Sequence, residues 1–507
     1  MKRIILYSLF MFMMFVTSCD EFLDEPNPNA IPSESYFTSA IDFEKAVNGI
    51  YQSIRSNNCL GEGSNLFSEE RSDNSGRLDN QSNAGEPFQF TDFSLLPSNT
   101  YLKTHWSALY STVSRTNFVI SEIDKVPFAD ENQRTNFKSE ALFIRALTYF
   151  HLVRKWGDVP MTTYFLEDYN DIVSKTSRVK KELVYDQITQ DLEEALNSTL
   201  PNIQPVGGKG RTCKAAINGL LGQVYLTMGA TLSENKQINF QKAKKYLEDA
   251  YNMRAFTVLS AIPYTDVFSV EKKNTCPEII FQIVYKQGDP VYYSPLASRN
   301  QSKGETVNSL KISSGQGTFV NPDLIKEYEP NDLRQTFSVK YANDPAAKAW
   351  FITKYRDISS SAGVNGYGGN DFILMRFADI ILMLAETNQY LGNTAEAINY
   401  LDQVRTRAGL PLYATADLDP AYHSRYPTLK LAILHERRVE LAFENHRWYD
   451  LIRFFTAEEL VSYMQSKSQS DYGISRLTNC GTKDIYYPIP FDEWKLDPEK
   501  MYQNPGY

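Results

Sequence analysis

Cysteine, histidine and long apolar runs are all scarce in this 507-residue chain, and each scarcity removes a class of function. The five cysteines (Cys19, Cys59, Cys213, Cys276, Cys480) stand far apart, with no CxxC pair. That excludes a disulfide scaffold and a cysteine-built zinc site. Cys213 falls in an apolar helical pattern and reads as a small core residue. Five histidines offer few metal ligands. His435-Glu436 begins like HExxH, but the second ligand position holds Val439, so no zinc helix is expected there and no metal site is assigned. Beyond residue 16 no apolar run approaches the roughly 20 residues that a membrane helix needs. A surplus of acid, with a net charge of -9 and pI near 5.3, argues against a nucleic-acid partner, which calls for clustered Lys and Arg. Gly207-Gly208-Lys209-Gly210-Arg211-Thr212 is a phosphate loop only superficially, because Lys209 is followed by glycine and the motif's earlier glycine would fall at Ile203. Neither GxSxG nor GxGxxG is present.

What the chain has in abundance is aromatic residues, 32 Tyr and 29 Phe. That is more than its core requires, so some are expected on the surface. Its N-terminus is also distinctive. Lys2 and Arg3 precede an apolar run, Ile4 to Val16, followed by Thr17-Ser18-Cys19-Asp20, the layout of a cleaved secretory signal. A cysteine set directly after small residues resembles a bacterial lipobox, in which Cys19 is diacylated and becomes the mature N-terminus. Residues 1–18 are therefore read as a signal peptide and 19–39, rich in Pro, Asn and Ser, as an extended leader. Two or three acyl chains, at about 0.8 kcal/mol per buried methylene, suffice for stable anchoring.

From Asp42 onward, apolar residues recur at helical spacing. Helices are predicted over Asp42 to Ser56, Thr104 to Ile123, Asn132 to Trp156, Lys180 to Leu200, Lys214 to Gly229 and Gln241 to Asn252. Further helices are predicted at Leu374 to Gly392, Thr394 to Ala408 and Thr428 to Phe455. Gly157, Pro201 and Gly229 read as stops. Ala215, Ala216, Gly219, Gly222, Ala385 and Gly392 are small enough for close helix crossings of tetratricopeptide style. Two stretches break the pattern. Asn57 to Asn99 dissolves into polar loop, and about Ala255 to Asn370 reads as a loop-rich insertion around a strand at Glu278 to Tyr285. The fold class is thus mainly α, a tetratricopeptide-like helix-pair scaffold with an irregular insertion carrying a few short strands.

For catalysis, the best carboxylate pair is Glu436 with Glu440, one helical turn apart. Arg437 and Arg438 lie between them, so the pair reads as part of a structural ion-pair network. No catalytic residue is assigned.

Placed in order, these segments resemble the SusD/RagB family of Bacteroidetes outer-membrane nutrient-binding lipoproteins. The resemblance rests on Cys19-Asp20-Glu21-Phe22-Leu23-Asp24 and Tyr36-Phe37-Thr38, on Ala46-Val47-Asn48-Gly49-Ile50-Tyr51, and on Arg145-Ala146-Leu147 through Trp156-Gly157-Asp158-Val159-Pro160. It continues with Arg376-Phe377-Ala378-Asp379, Leu384-Ala385-Glu386 and Val404-Arg405-Thr406-Arg407-Ala408-Gly409-Leu410. The strongest pieces are Glu436 to Glu444 with Arg447-Trp448-Tyr449-Asp450-Leu451, and the terminal Gln503-Asn504-Pro505-Gly506-Tyr507. The resemblance implies a single domain over 40–507, with scaffold at about 40–255 and 371–507 and variable ligand-binding regions at about 57–100 and 256–370. It further implies a non-catalytic, lipid-anchored and surface-exposed outer-membrane protein that captures a glycan and delivers it to a SusC-like TonB-dependent transporter. A peptide or glycopeptide receptor of RagB type is the alternative, and a surface glycoside hydrolase a remote one. No cofactor is expected; the class allows a structural calcium ion, which is not predicted here.

Sugars stack their C–H faces on exposed aromatic rings and bind planar polar groups through their hydroxyls. Two loop regions offer that mixture. Asp73, Asn74 and Arg77, near Asp79, form the first candidate set, and Tyr292, Tyr293, Arg299 and Asn300 the second. Trp106, Trp350 and Trp448 read as packing residues.

Overall fold

The computed structural model describes residues 37–77, 85–166, 168–302, 304–307, 310–311, 318–342, 348–363, 365–415, 417–467 and 477–507. The signal peptide, Cys19, most of the leader and Asp79 lie outside the described residues. No described helix is long and apolar enough to cross a membrane.

Helix α1 (Ala40–Arg55) buries Phe43, Val47, Ile50 and Ile54 along one stripe. The next helix, α2 (Thr100–Glu122), starts where the Asn99 side chain accepts the backbone N–H groups of Tyr101 and Leu102. Asp130 caps α3 (Glu131–Trp156), which stops at Gly157, whose φ of 71° suits glycine. Between Ser139 and Trp156 almost every residue of α3 is buried, so this helix runs through the core. Then come α4 (Tyr169–Lys175), α5 (Lys181–Ala195), α6 (Lys214–Thr231) and α7 (Lys236–Asn252). The C-terminal part adds α8 (Phe377–Tyr390), α9 (Thr394–Arg407), α10 (Leu429–Glu440) and α11 (Arg447–Phe454). Sequential helices pack as pairs, α2 with α3, α6 with α7 and α8 with α9, and α7 joins the two halves by packing on α8. This is the tetratricopeptide-like scaffold that the sequence predicts.

Small residues do set the crossings. A Cβ on Gly222 would meet Leu247 Cγ at 2.4 Å, and one on Gly219 would meet Met375 Sδ at 2.5 Å. Two glycines act differently from expectation. Gly229 lies inside α6 against the Phe240 ring, while Gly392 is a helix stop with φ of 79° and open space around it. Two helices predicted as continuous are broken. The run from Leu374 begins as a strand that ends at Arg376, and the stretch from Thr428 to Phe455 is interrupted where Phe443 and Asn445 take φ of 68° and 64°.

Short strands assemble around the scaffold. β1 (Ser75–Arg77), β5 (Thr318–Val320), β7 (Trp350–Ile352) and β6 (Val339–Tyr341) form an antiparallel sheet in that order. β2 (Val159–Pro160) pairs with β3 (Arg178–Val179), and the wholly buried β4 (Ile279–Ile283) pairs with β8 (Phe372–Arg376). The stretch 66–76, predicted as polar loop, is buried throughout.

The reason is a lattice of buried ions centred on α10. Glu440 accepts from Arg376 Nη1 at 2.6 Å, from Arg334 Nη1 at 3.0 Å and from Arg407. Glu436 accepts from Arg334 at 2.6 Å and Arg405 at 3.3 Å. Arg376 also grips both oxygens of Glu444 at 2.7 Å. Burial opposes ionisation of Glu440, and the guanidiniums of Arg407, Arg376 and Arg334 outweigh it, holding the carboxyl well below its usual range.

Glu440→Gln leaves three buried guanidiniums short of charge and should cost about 3–5 kcal/mol in urea unfolding, against under about 0.5 kcal/mol for Lys245→Ala in the exposed Lys245–Asp249 pair. Equal unfolding midpoints for the two variants would contradict the lattice's role. Acid should also remove the stability that the buried imidazoles contribute. Burial holds His105, His151, His435 and His446 below the usual imidazole value, and holds Lys155 well below the usual amine value. The unfolded chain therefore takes up protons on those imidazoles first as pH falls through about 6.5, where its Lys155 is already charged. Glu69, pushed by burial to about 7, and Asp371, pushed to about 6, act in the opposite sense. Glu140, Asp191, Asp402 and Glu493, raised by burial as well, join them, so the imidazole part is read by difference: His435→Gln should flatten the fall of Tm with pH below about 6.5 relative to the parent, and an unchanged Tm profile would contradict it.

Candidate functional site

The first predicted set lies inside the lattice. Asp73 is fully buried and takes a bidentate grip from Arg447, at 2.7 and 2.9 Å, plus the Tyr463 hydroxyl at 2.6 Å. Burial opposes its ionisation, but Arg438 and Arg447 prevail and hold it well below the usual carboxylate range. The Asn74 amide donates to Glu69 at 3.0 Å while its oxygen accepts from Arg438 at 3.0 Å. Arg77 donates twice to Glu70, at 2.7 and 2.8 Å. Asp73 and Asn74 are thus placed where no ligand could touch them, because arginines from α10 and α11 reach them first.

The second set is on the surface. Tyr292 and Tyr293 sit on a loop between β4 and the short helix Leu296–Arg299. Asp289 turns the loop by accepting the backbone N–H groups of Val291 and Tyr292 at 2.9 and 3.0 Å, and Lys286 N–H closes it on Tyr292 O at 2.7 Å. The loop is pinned to the neighbouring segment by Gly288 N–H to Tyr367 O at 2.9 Å and Ser294 N–H to Gly368 O at 2.8 Å. Behind it, Asp357 accepts from the Gln287 amide at 2.6 Å and from Gly369 N–H at 2.8 Å. A second staple stands at the base, where Lys273 Nζ donates to Asp371, Tyr285 O and Gly369 O.

This backbone presents an open aromatic surface. Tyr292 is 40% exposed and Val291 72% exposed, and the Arg55 guanidinium lies 4.4 Å from the Tyr292 ring centroid. Tyr293 packs at 4.7 Å on Tyr367. Arg299 and Asn300, at the end of the following helix, are half-buried. Apolar ring faces beside arginine donors suit a ligand with C–H faces and hydroxyls. Sequence reasoning missed Arg55 and Tyr367. Both come from distant segments, and nothing local marks them.

Elsewhere, Glu329, His435 and Glu436 have the spacing of a metal site. Their donors are spent, since Arg405 takes Glu329 and Glu436, Arg334 takes Glu436, and His435 Nε2 meets Glu327 O at 2.8 Å. The residues fit guanidiniums and not a metal. Trp448 is buried beside Arg71, in keeping with a packing role. Trp350 is half-buried and opposes the exposed Tyr341 on the sheet. The four described cysteines are buried and unpaired with one another.

Comparison with known proteins agrees with this architecture. Residues 285–507 match the SusD family, and residues 21–226 match a family described as starch-binding and associating with the outer membrane. SusD-like protein P2 of Formosa agariphila is 26% identical, covering 98% of each chain. Among solved structures, a laminarin-binding SusD-like protein is 25% identical with a TM-score of 0.71, covering 93% of this chain and all of its own. Surface glycan-binding protein A from Bacteroides thetaiotaomicron, in complex with laminarihexaose, is 21% identical with a TM-score of 0.73, covering 92% of this chain and all of its own.

The two predicted sets should separate on substitution. Asp73→Asn should lower unfolding stability by about 3–5 kcal/mol, as expected for breaking a buried pair, and Tyr292→Ala should stay within about 1 kcal/mol. An Asp73→Asn protein as stable as the parent would return that residue to the list of ligand contacts.

Proposed function

Starting from the chain's membership of the SusD/RagB family, we propose that it is a non-catalytic receptor that binds oligosaccharides on the pinned tyrosine loop and passes them to a SusC-like TonB-dependent transporter. The observation that carries the binding site is the loop itself. Its Tyr292 ring is exposed beside the half-buried Tyr293, and its backbone is held by hydrogen bonds to neighbouring segments, so little ordering entropy is lost when a sugar stacks on it. Arg55 covers part of one ring and supplies donors beside it; Arg299 and Asn300 extend the polar rim. Two structural neighbours, one laminarin-binding and the other in complex with laminarihexaose, support a glycan as the ligand.

Lipidation at Cys19 and display at the cell surface complete the reading. They rest on the lipobox-like Thr17-Ser18-Cys19 and on the outer-membrane association in the description of the matched family. A body tethered this way can hold its ligand over a barrel without a membrane-spanning segment of its own.

Calorimetry against a panel of glycans that includes laminarin, with peptides alongside, should give saturable heat with one glycan class. Tyr292→Ala/Tyr293→Ala should weaken that binding at least about tenfold, since stacked aromatic faces dominate such sites. Unchanged affinity in the double variant would move the site elsewhere. Heat with peptides alone would make the protein a peptide receptor, and failure to co-purify with any barrel from its native membrane would remove the delivery role.

A further inference from the structure

A cleft of about 320 Å³ lies far along the fold from the tyrosine loop, between α2 and the segment carrying α4. Its α2 wall is aromatic at Trp106 and Tyr110, and Tyr164 faces them from the other side. Three large apolar side chains stand open on its rim, Ile172 at 46%, Val173 at 41% and Leu496 at 59% exposed. Exposed apolar side chains gathered around one concavity mark a surface that something covers.

The first described residue stands near this cleft, one aromatic ring removed from its lining. Phe37, the first described residue, places its ring 4.5 Å from Phe118 on α2, and Phe118 lies 5.3 Å from Phe165. Phe165 sits between Tyr164 and Leu166, both of which line the cleft. The described chain therefore begins beside the cleft's Asn117 end. From there to Trp106 the helix rises about 16 Å, the span of roughly five extended residues.

The chemistry of the segment matches. It reads Asp-Glu-Phe-Leu-Asp-Glu-Pro-Asn-Pro-Asn-Ala-Ile-Pro-Ser-Glu-Ser-Tyr, with prolines at 26, 28 and 32. Each proline fixes its own φ and drives the residue before it to extended backbone, so the segment is preordered as the kind of extended strand that docks in aromatic-lined grooves. Pro28-Asn29-Ala30-Ile31-Pro32 is five residues long and lies within about 30 Å of extended reach from Phe37.

We propose that Pro28–Pro32 of this same chain docks in the cleft, its prolines and Ile31 against Trp106, Tyr110 and Tyr164. Docking leaves only Asp20–Asn27 as free tether behind Cys19, and release restores the full length.

Hydrogen exchange on the full chain in detergent micelles tests this. Ile31→Asp should speed exchange about tenfold at the amides of 160–176, as expected for loss of local protection, while leaving glycan heats unchanged. Exchange equal to that of the parent overturns the proposal. A cysteine pair, Ala30→Cys with Val173→Cys, should close a disulfide within one chain under mild oxidation. A disulfide between two chains would assign the cleft to a second copy instead, and no disulfide would also count against the proposal.

Discussion

Everything in this molecule is arranged about the carboxylate of Glu440 and the three guanidiniums that surround it. Arg334 comes from the insertion, Arg376 from the end of β8 and Arg407 from the last turn of α9. Around that centre, Asp73 reaches in from the N-terminal part and Arg447 and Arg453 from α11. Buried ion pairs of this sort add little net stability over apolar packing, because desolvation cancels most of the attraction. What they impose is uniqueness. Any alternative packing of these segments strands a charge in the interior, so the lattice fixes where each segment must lie.

Much of the scaffold can be read from residue spacing, because α1, α7 and α9 carry apolar stripes with a helical period and α3 ends at Gly157. Errors fell where tertiary demand overrides local pattern. An apolar run cannot by itself tell a buried strand from a buried helix, which is why 374–376, the end of β8, reads as the start of the helix that follows. Between α10 and α11, Phe443 and Asn445 turn left-handed so that Glu444 can meet Arg376 and Lys354 while Asn445 N–H reaches Glu69. Nothing within ten residues announces that turn.

The candidate site was half legible. Tyr292 and Tyr293 stand out as adjacent aromatics in a polar loop; Tyr292 is exposed, while Tyr293 is half-buried against Tyr367. Asp73 and Asn74 looked the same, polar residues in a polar stretch, yet they are interior. Arg437, Arg438, Arg447 and Arg453 are matched in number by Glu436, Glu440, Glu444 and Asp450, so the local sequence gives no sign that Arg438 and Arg447 take Asp73 from a distant segment. Arg55 and Tyr367 could be found only in three dimensions, since each meets the tyrosine loop across a long sequence gap.

The staples behind the tyrosine loop have a consequence for how such a receptor diversifies. Asp357, Asp371 and Lys273 secure the loop through backbone atoms of Gly369 and Tyr285 and the side chain of Gln287, and none of them belongs to the Glu440 lattice. The tip, Pro290 to Tyr293, can therefore be rewritten while its mounting and the ionic interior stay unchanged. On the proposed reading of this loop as the binding site, ligand preference becomes an interchangeable fitting on a fixed chassis, open to grafting at the bench.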